Sequence, residues 1–109
     1  IEPDKMQYVL AYGTAGIEFE KGNFNKALEI LGKSGPIKNV YYKAAIKQLT
    51  LMIYYELNWL AQATDLLDAY SHFIRTDSLL PEMYIIRCNE FINFYNRLLK
   101  INDNKGNKP

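Results

Sequence analysis

The chain has 109 residues, of which 49% are hydrophobic and 23% are charged, a composition typical of one folded globular domain. Its 13 Lys and Arg and its 12 Asp and Glu give a net charge of +1. Because these charges are interspersed, no basic surface that gathers phosphates is predicted, and nucleic acid is disfavoured as a partner. No apolar run reaches the ~20 residues of a membrane span.

The one cysteine of the chain, Cys88, excludes an internal disulfide. Unpaired thiols are more common in the reducing cytoplasm, so that compartment is favoured, although the localisation stays open. The chain begins at Ile1, and its first six residues have neither the basic start nor the apolar run of a secretion signal. We therefore expect a fragment of a longer or processed protein.

Two helices are predicted in the first third of the chain. Apolar residues at spacings of three and four predict a helix over residues 3–21, with a proline in its first turn. Gly13 and Gly16 lie inside it and each cost about 1 kcal/mol relative to Ala, which indicates either a close backbone approach or a weak, mobile helix. Asn23 is the expected cap of a shorter helix that ends near Gly32.

Three more helices are predicted after a Gly- and Pro-containing loop at residues 32–36. The third covers residues 40–57, and its second half is apolar on nearly every side, as in a helix between neighbours. The fourth follows a tight reversal at Asn58 and has the clearest amphipathic stripe. The fifth covers residues 81–101. Residues 102–109 are polar and are predicted to form a disordered tail.

The first four predicted helices repeat with an offset of 36 residues, which relates Ala27 to Ala63 and Gly22 to Asn58. The other related pairs are Phe19 and Tyr55, Glu20 and Glu56, Phe24 and Leu60, Thr14 and Thr50, and Leu31 and Leu67. The order of aromatic, Gly, aromatic and Ala from residue 19 to residue 27 resembles the central pattern of the tetratricopeptide repeat, or TPR. In that pattern the Gly makes the turn and the Ala lets the two helices touch.

The resemblance to the TPR family implies an all-α fold of about five helices. Two stacked antiparallel hairpins and a C-terminal capping helix would form a single TPR-like domain over residues 1–101. Glu18, Ser34 and Tyr70 depart from the family pattern, which indicates a divergent member. The last three helices resemble the end of larger bacterial repeat proteins of unassigned role.

The function that the resemblance implies is a protein–protein interaction scaffold without catalysis, whose partner is a protein or peptide that the sequence does not identify. The alternative is a C-terminal capping or homodimerisation domain of a longer repeat protein. That alternative arises because about three repeats are normally needed for stability, and only two and a half are visible.

The first helix of each TPR hairpin lines a concave groove, so the resemblance also implies a binding surface. The candidate residues are Tyr12, Phe19, Glu20, Gln48, Met52, Tyr55 and Glu56. Aromatic and Met side chains suit peptide capture, and repeated carboxylates accept hydrogen bonds from a basic partner. The alternatives are that the aromatic residues and Met form the core and that the two Glu belong to a solvated helix face. The basic residues with which the family holds a terminal carboxylate are absent.

No catalytic residue, metal site or cofactor is predicted. His72, the only His, is expected to form an exposed pair with Asp68, one turn earlier. Cys88 lies in the apolar arc of the fifth helix, where thiols usually act as small buried hydrophobic groups. One His and one Cys cannot complete a closed zinc site, and no phosphate-binding glycine loop is present.

The apolar arc of the predicted fifth helix is wider than one hairpin contact requires. The flank formed by Met83, Phe94 and Ile101 is therefore predicted to remain exposed and to bind a partner or a second copy of the chain. The alternative is that the first helix or the loop around Ile37 covers this flank.

Overall fold

The computed structural model describes residues 3–77 and 79–106. Over these residues the protein is all-α, with five helices and no β-strand, which confirms the predicted fold class and helix number. The helices are α1 (Pro3–Glu20), α2 (Phe24–Gly32), α3 (Val40–Glu56), α4 (Leu60–Thr76) and α5 (Glu82–Gly106). None of these five helices has a stretch that is long and apolar enough to cross a bilayer.

Helix α5 is longer than predicted. It continues to Gly106, whereas the sequence pattern placed its end near Ile101 and residues 102–109 in a disordered tail. The apolar spacing stops at Ile101, but no Gly or Pro occurs before Gly106, so helical hydrogen bonding propagates at little cost from the turns already formed. The helix therefore includes residues 102–106, the disordered tail stays a prediction, and residues 107–109 lie outside the described residues.

The chain divides into two compact units, Ile1–Trp59 and Leu60–Pro109. The first contains α1, α2 and α3, and the second contains α4 and α5. The predicted single domain over residues 1–101 and the predicted stacking of two hairpins stay predictions.

Small side chains bring the helices of the first unit together. Ala15 of α1 and Ala27 of α2 are fully buried and belong to one apolar cluster. Because the distance between packed helices depends on the side chains at the contact, alanine at both positions allows a close approach. Leu31, Leu49 and Ile53 complete the buried cluster, so α3 also packs on it.

The turn between α1 and α2 depends on Gly22, whose φ is +82°, in the left-handed region that favours glycine. The Gly22 N–H donates to the Phe19 carbonyl at 2.9 Å, and the Asn23 N–H donates to the Glu18 carbonyl at 2.8 Å. This pair of bonds is the Schellman motif, which satisfies carbonyls left free at a helix C-terminus.

The turn after α3 repeats this geometry 36 residues later. Asn58 has a φ of 60°, and its N–H donates to the Tyr55 carbonyl at 3.1 Å. The Trp59 N–H donates to the Tyr54 carbonyl at 2.9 Å. The buried positions repeat as well: Ala27 with Ala63, and Leu31 with Leu67. The offset found in the sequence is therefore also present in backbone hydrogen bonds and burial.

Aromatic rings join the two helices of the second unit. Tyr70 of α4 is fully buried and meets Phe91 of α5 edge-on, with ring centroids 6.2 Å apart. Phe91 also lies 5.8 Å from Tyr95, which is buried. Cys88 is buried on the same helix, in agreement with its predicted role as a small hydrophobic group.

The glycines inside α1 do not serve a close approach within the described part of the chain. A Cβ atom built on Gly13 or Gly16 would meet no other side chain or helix within 4 Å. The sequence offered two explanations for these glycines, a close backbone approach or a weak, mobile helix. The close approach is excluded for the described residues.

Replacing Gly22 with Ala is expected to lower the free energy of unfolding by about 1–2 kcal/mol, because the side chain is strained at positive φ. Gly13→Ala is the matched control: it adds the same methyl group in open helix and is expected to raise the stability by up to about 1 kcal/mol. Urea unfolding followed by circular dichroism measures both. Equal effects of the two substitutions would contradict the assigned turn geometry.

Candidate functional site

Helices α1 and α3 run parallel in the first unit. Near their N-terminal ends, the rings of Tyr8 and Tyr42 lie 5.0 Å apart. At the other end, Leu57, which follows α3, lines a cleft together with Gly22 and Phe24 at the turn that follows α1. The two helices that the TPR resemblance assigns to a groove are therefore neighbours along their length.

The first turn of α3 is fixed by Asn39, the residue directly before that helix. Its side-chain oxygen accepts hydrogen bonds from the backbone N–H groups of Tyr41 at 2.9 Å and Tyr42 at 3.1 Å. These bonds satisfy donors that have no partner inside the helix. The cap therefore positions two consecutive tyrosines where α3 faces α1.

An open pocket of about 260 Å³ lies between α1 and α3 and is lined by Tyr12, Tyr41, Tyr42 and Ala45. We call it the tyrosine pocket. Tyr12 meets Tyr42 edge-on with ring centroids 6.1 Å apart, while Tyr41 remains 45% exposed. The wall is mostly apolar, so the pocket is suited to one hydrophobic side chain of a partner.

Tyr12 and Ala45 of this pocket both occupy groove positions of the TPR pattern, whereas Tyr41 and Tyr42 were not predicted. A signal for Tyr41 was present. Ala45, Gln48 and Met52 follow a helical stripe on α3, and extending that stripe back by one turn reaches Tyr41. The 36-residue offset did not find it, because the matching position on α1 is Lys5.

The other predicted groove residues lie on the same two helices and differ in exposure. Met52 is 42% exposed, and Glu20 and Glu56 are also exposed. The half-buried members are Tyr12, Phe19, Gln48 and Tyr55. Tyr12 and Phe19 pack on the buried cluster, so these two side chains also belong partly to the core, as the alternative interpretation proposed.

The two carboxylates lie at the same end of the helix pair, because Glu20 ends α1 and Glu56 ends the parallel helix α3. Neither makes an ion pair with a described side chain; the ion pairs of this unit use Glu18 and Glu29 instead. We call the surface formed by the tyrosine pocket, Met52, Glu20 and Glu56 the α1–α3 face. The pocket lies towards one end of this face, and the two carboxylates, which have no ion-pair partner among the described residues, lie at the other end.

Glu18 is a buried carboxylate whose role the sequence did not reveal. It accepts a hydrogen bond from the Asn23 side chain at 3.2 Å, and Lys21 and Lys26 lie 3.9 and 4.0 Å away. These contacts join the end of α1 to the start of α2. A buried charge is tolerated only where such partners surround it.

The positions equivalent to Glu18 and Asn23 at the end of α3 make a different kind of contact. There Tyr54 and Trp59 place their rings 5.8 Å apart, 36 residues beyond Glu18 and Asn23. The same two points of the turn are therefore connected by a polar contact in the first copy and by an aromatic contact in the second.

Lys47 is partly buried on α3. Loss of hydration lowers the pKa of its ammonium from the ordinary value of 10.5, and the neighbouring charge of Lys43 lowers it further. By helical periodicity both lysines lie on the side of α3 opposite Ala45 and Met52. They are therefore not part of the α1–α3 face.

On α5, the three residues of the predicted association face are all exposed: Met83 at 65%, Phe94 at 57% and Ile101 at 49%. Their spacings of 11 and 7 residues correspond to whole numbers of helical turns, so they share one side of the helix. Their role in association stays a prediction.

The residues considered for chemistry do not form a cluster. His72 and Asp68 are both exposed, and Cys88 is buried. Among the described residues, no three His, Cys, Asp or Glu side chains are placed to hold a metal ion.

No protein-family profile, curated protein or solved structure matches the chain. Membership of the TPR family therefore stays a prediction, which rests on the 36-residue pattern.

Lys47→Met is expected to stabilise the protein at neutral pH, because it removes the cost of keeping a partly buried ammonium charged. In the wild type the unfolded state binds more protons between the lowered pKa and 10.5, so stability should rise with pH in that window. The variant should lose this rise. Thermal melts at several pH values measure it, with the exposed Lys33→Met as the control that should keep it.

Proposed function

We propose that this protein is a protein–protein interaction scaffold of the TPR type, without intrinsic catalysis, that binds a peptide segment on its α1–α3 face. The observation that carries the proposal is the tyrosine pocket, which lies open between two parallel helices. The same two helices expose Met52 and the carboxylates of Glu20 and Glu56. The repeated turn geometry at Gly22 and Asn58 supports a repeat protein of this type.

The size of the pocket favours a peptide over a small-molecule ligand. Its volume of about 260 Å³ is below the range of roughly 300–1,000 Å³ that is typical of cofactor and drug-like sites. It suits a single anchoring side chain, and a groove of aromatic residues and Met is typical of surfaces that bind segments of other proteins.

The second candidate is a capping or homodimerisation domain that associates through α5. The exposure of Met83, Phe94 and Ile101 on one side of that helix favours it, because apolar side chains left exposed on one side of a helix are available for association. The two candidates use different units of the chain and are tested independently.

Panning a displayed random library of peptides of about twelve residues tests the first candidate. We expect the protein to enrich a family of sequences that share an apolar or aromatic anchor. Ala45→Arg should abolish binding of the enriched peptides, because Ala45 lines the tyrosine pocket and the longer side chain fills it. Leu10→Arg introduces the same charge at a residue of α1 that is 59% exposed and lies outside the groove, and it should leave binding intact. No enrichment, or equal loss in both variants, would overturn the proposal.

Phe94→Asp tests the second candidate. If α5 is an interface, the variant should lose self-association in sedimentation velocity while its helical content and monomer melting stay unchanged. Phe91→Asp is the matched core substitution: Phe91 packs between Tyr70 and Tyr95, so it should lower stability by several kcal/mol. A Phe94→Asp variant that unfolds, or a wild type that is monomeric throughout, would contradict the interface.

A further inference from the structure

We infer that the segment bound on the α1–α3 face is basic: it places an apolar or aromatic side chain in the tyrosine pocket and Lys or Arg against Glu20 and Glu56. The inference rests on the proposed function and adds the chemical class of the partner.

The electrostatics at the C-terminal ends of α1 and α3 carry the inference. Each helix ends in an exposed carboxylate, Glu20 or Glu56, and neither has a basic residue in its last turn. The C-terminus of a helix itself carries about half a negative charge, so an acidic residue there is unfavourable unless a cation compensates it. The carboxylates of Glu20 and Glu56 and the C-termini of α1 and α3 therefore all contribute negative potential at one end of the face.

Among the described residues, no lysine of the first unit makes an ion pair with Glu20 or Glu56. Lys21, the residue next to Glu20, and Lys26, which lines the cleft at this end, lie 3.9 and 4.0 Å from the buried carboxylate of Glu18. Lys43 and Lys47, the basic residues of α3, lie on the opposite side of that helix. Although the whole chain has a net charge of +1, the described charges on this face are negative. A cation from outside the described chain is the complementary occupant.

The distance between the two subsites sets the spacing in the peptide. Glu20 lies eight residues after Tyr12, and Glu56 lies eleven after Ala45, which correspond to about 12 and 16 Å along helices that rise 1.5 Å per residue. An extended chain advances about 3.3 Å per residue. The basic residues should therefore follow or precede the anchor by about four to five positions.

Exposed ion pairs are individually weak and are screened by salt. Two such contacts are therefore expected to improve binding by about fivefold to tenfold at low ionic strength, and the gain should shrink as salt is added. The anchor in the pocket should provide the part of the affinity that salt does not change.

Three fluorescein-labelled synthetic peptides test the inference. The first has one Phe and, about four and five positions away, two Arg in a Gly/Ser background. The second replaces both Arg with Gln, and the third replaces Phe with Ser. Fluorescence anisotropy with the full chain at about 50 and 200 mM NaCl gives the Kd of each.

The Arg peptide should bind about fivefold to tenfold more tightly than the Gln peptide at low salt. The double variant Glu20→Gln, Glu56→Gln should remove this difference and leave binding of the Gln peptide unchanged. Glu29→Gln with Glu82→Gln is the matched control: it makes the same change in net charge at exposed residues of α2 and α5 and should preserve the difference. Circular dichroism melts should show that both double variants fold.

The remaining outcomes separate the inference from the proposed function. If the Arg and Gln peptides bind equally, need Phe, and are lost with Ala45→Arg, the groove is real and the basic partner is wrong. If the double variant retains the preference for Arg, the carboxylates are not responsible and the inference is overturned. If no peptide distinguishes the wild type from Ala45→Arg, the inference and the proposed groove both fail.

Discussion

The close packing of α1 and α2 at Ala15 and Ala27 is the constraint on which the first unit depends. Both residues are fully buried in the cluster that also receives Leu49 and Ile53 of α3. A larger side chain at either alanine would separate α1 from α2 and shift the surface on which α3 rests, since well-packed cores accommodate added volume poorly. The tyrosine pocket lies between α1 and α3, so its shape depends on the packing at these two alanines.

The two turns at Gly22 and Asn58 show that the backbone repeats more regularly than the side chains do. Both residues adopt positive φ, and both turns have the same pair of hydrogen bonds. Positive φ favours Gly but also admits Asn, and the flanking positions hold a polar pair in one copy and an aromatic pair in the other. Conservation of geometry with replacement of side chains explains why the repeat is faint in the sequence.

The fold was largely predictable from local signals, and the site only partly. Helix periodicity depends on residues close in sequence, so the helix number and most helix ends were predicted correctly. The pocket depends on which side of α3 faces α1, and that is a property of the tertiary structure. The 36-residue offset did not predict that Tyr41 lies on this side, because the matching residue on α1 is Lys5. Glu18 was noted as a departure from the family pattern, but its partners became visible only in the folded turn. The end of α5 was misplaced because apolar spacing measures burial and not helix length.

The burial of Cys88 has a consequence for how the protein opens. The chain has no other thiol, and this one is buried on α5. An alkylating reagent reaches a buried sulfur only when the structure around it separates, so its rate of reaction reports the free energy of that local opening. Because α1, α2 and α3 contain no cysteine, thiol labelling measures the opening of the structure around α5 at this single position.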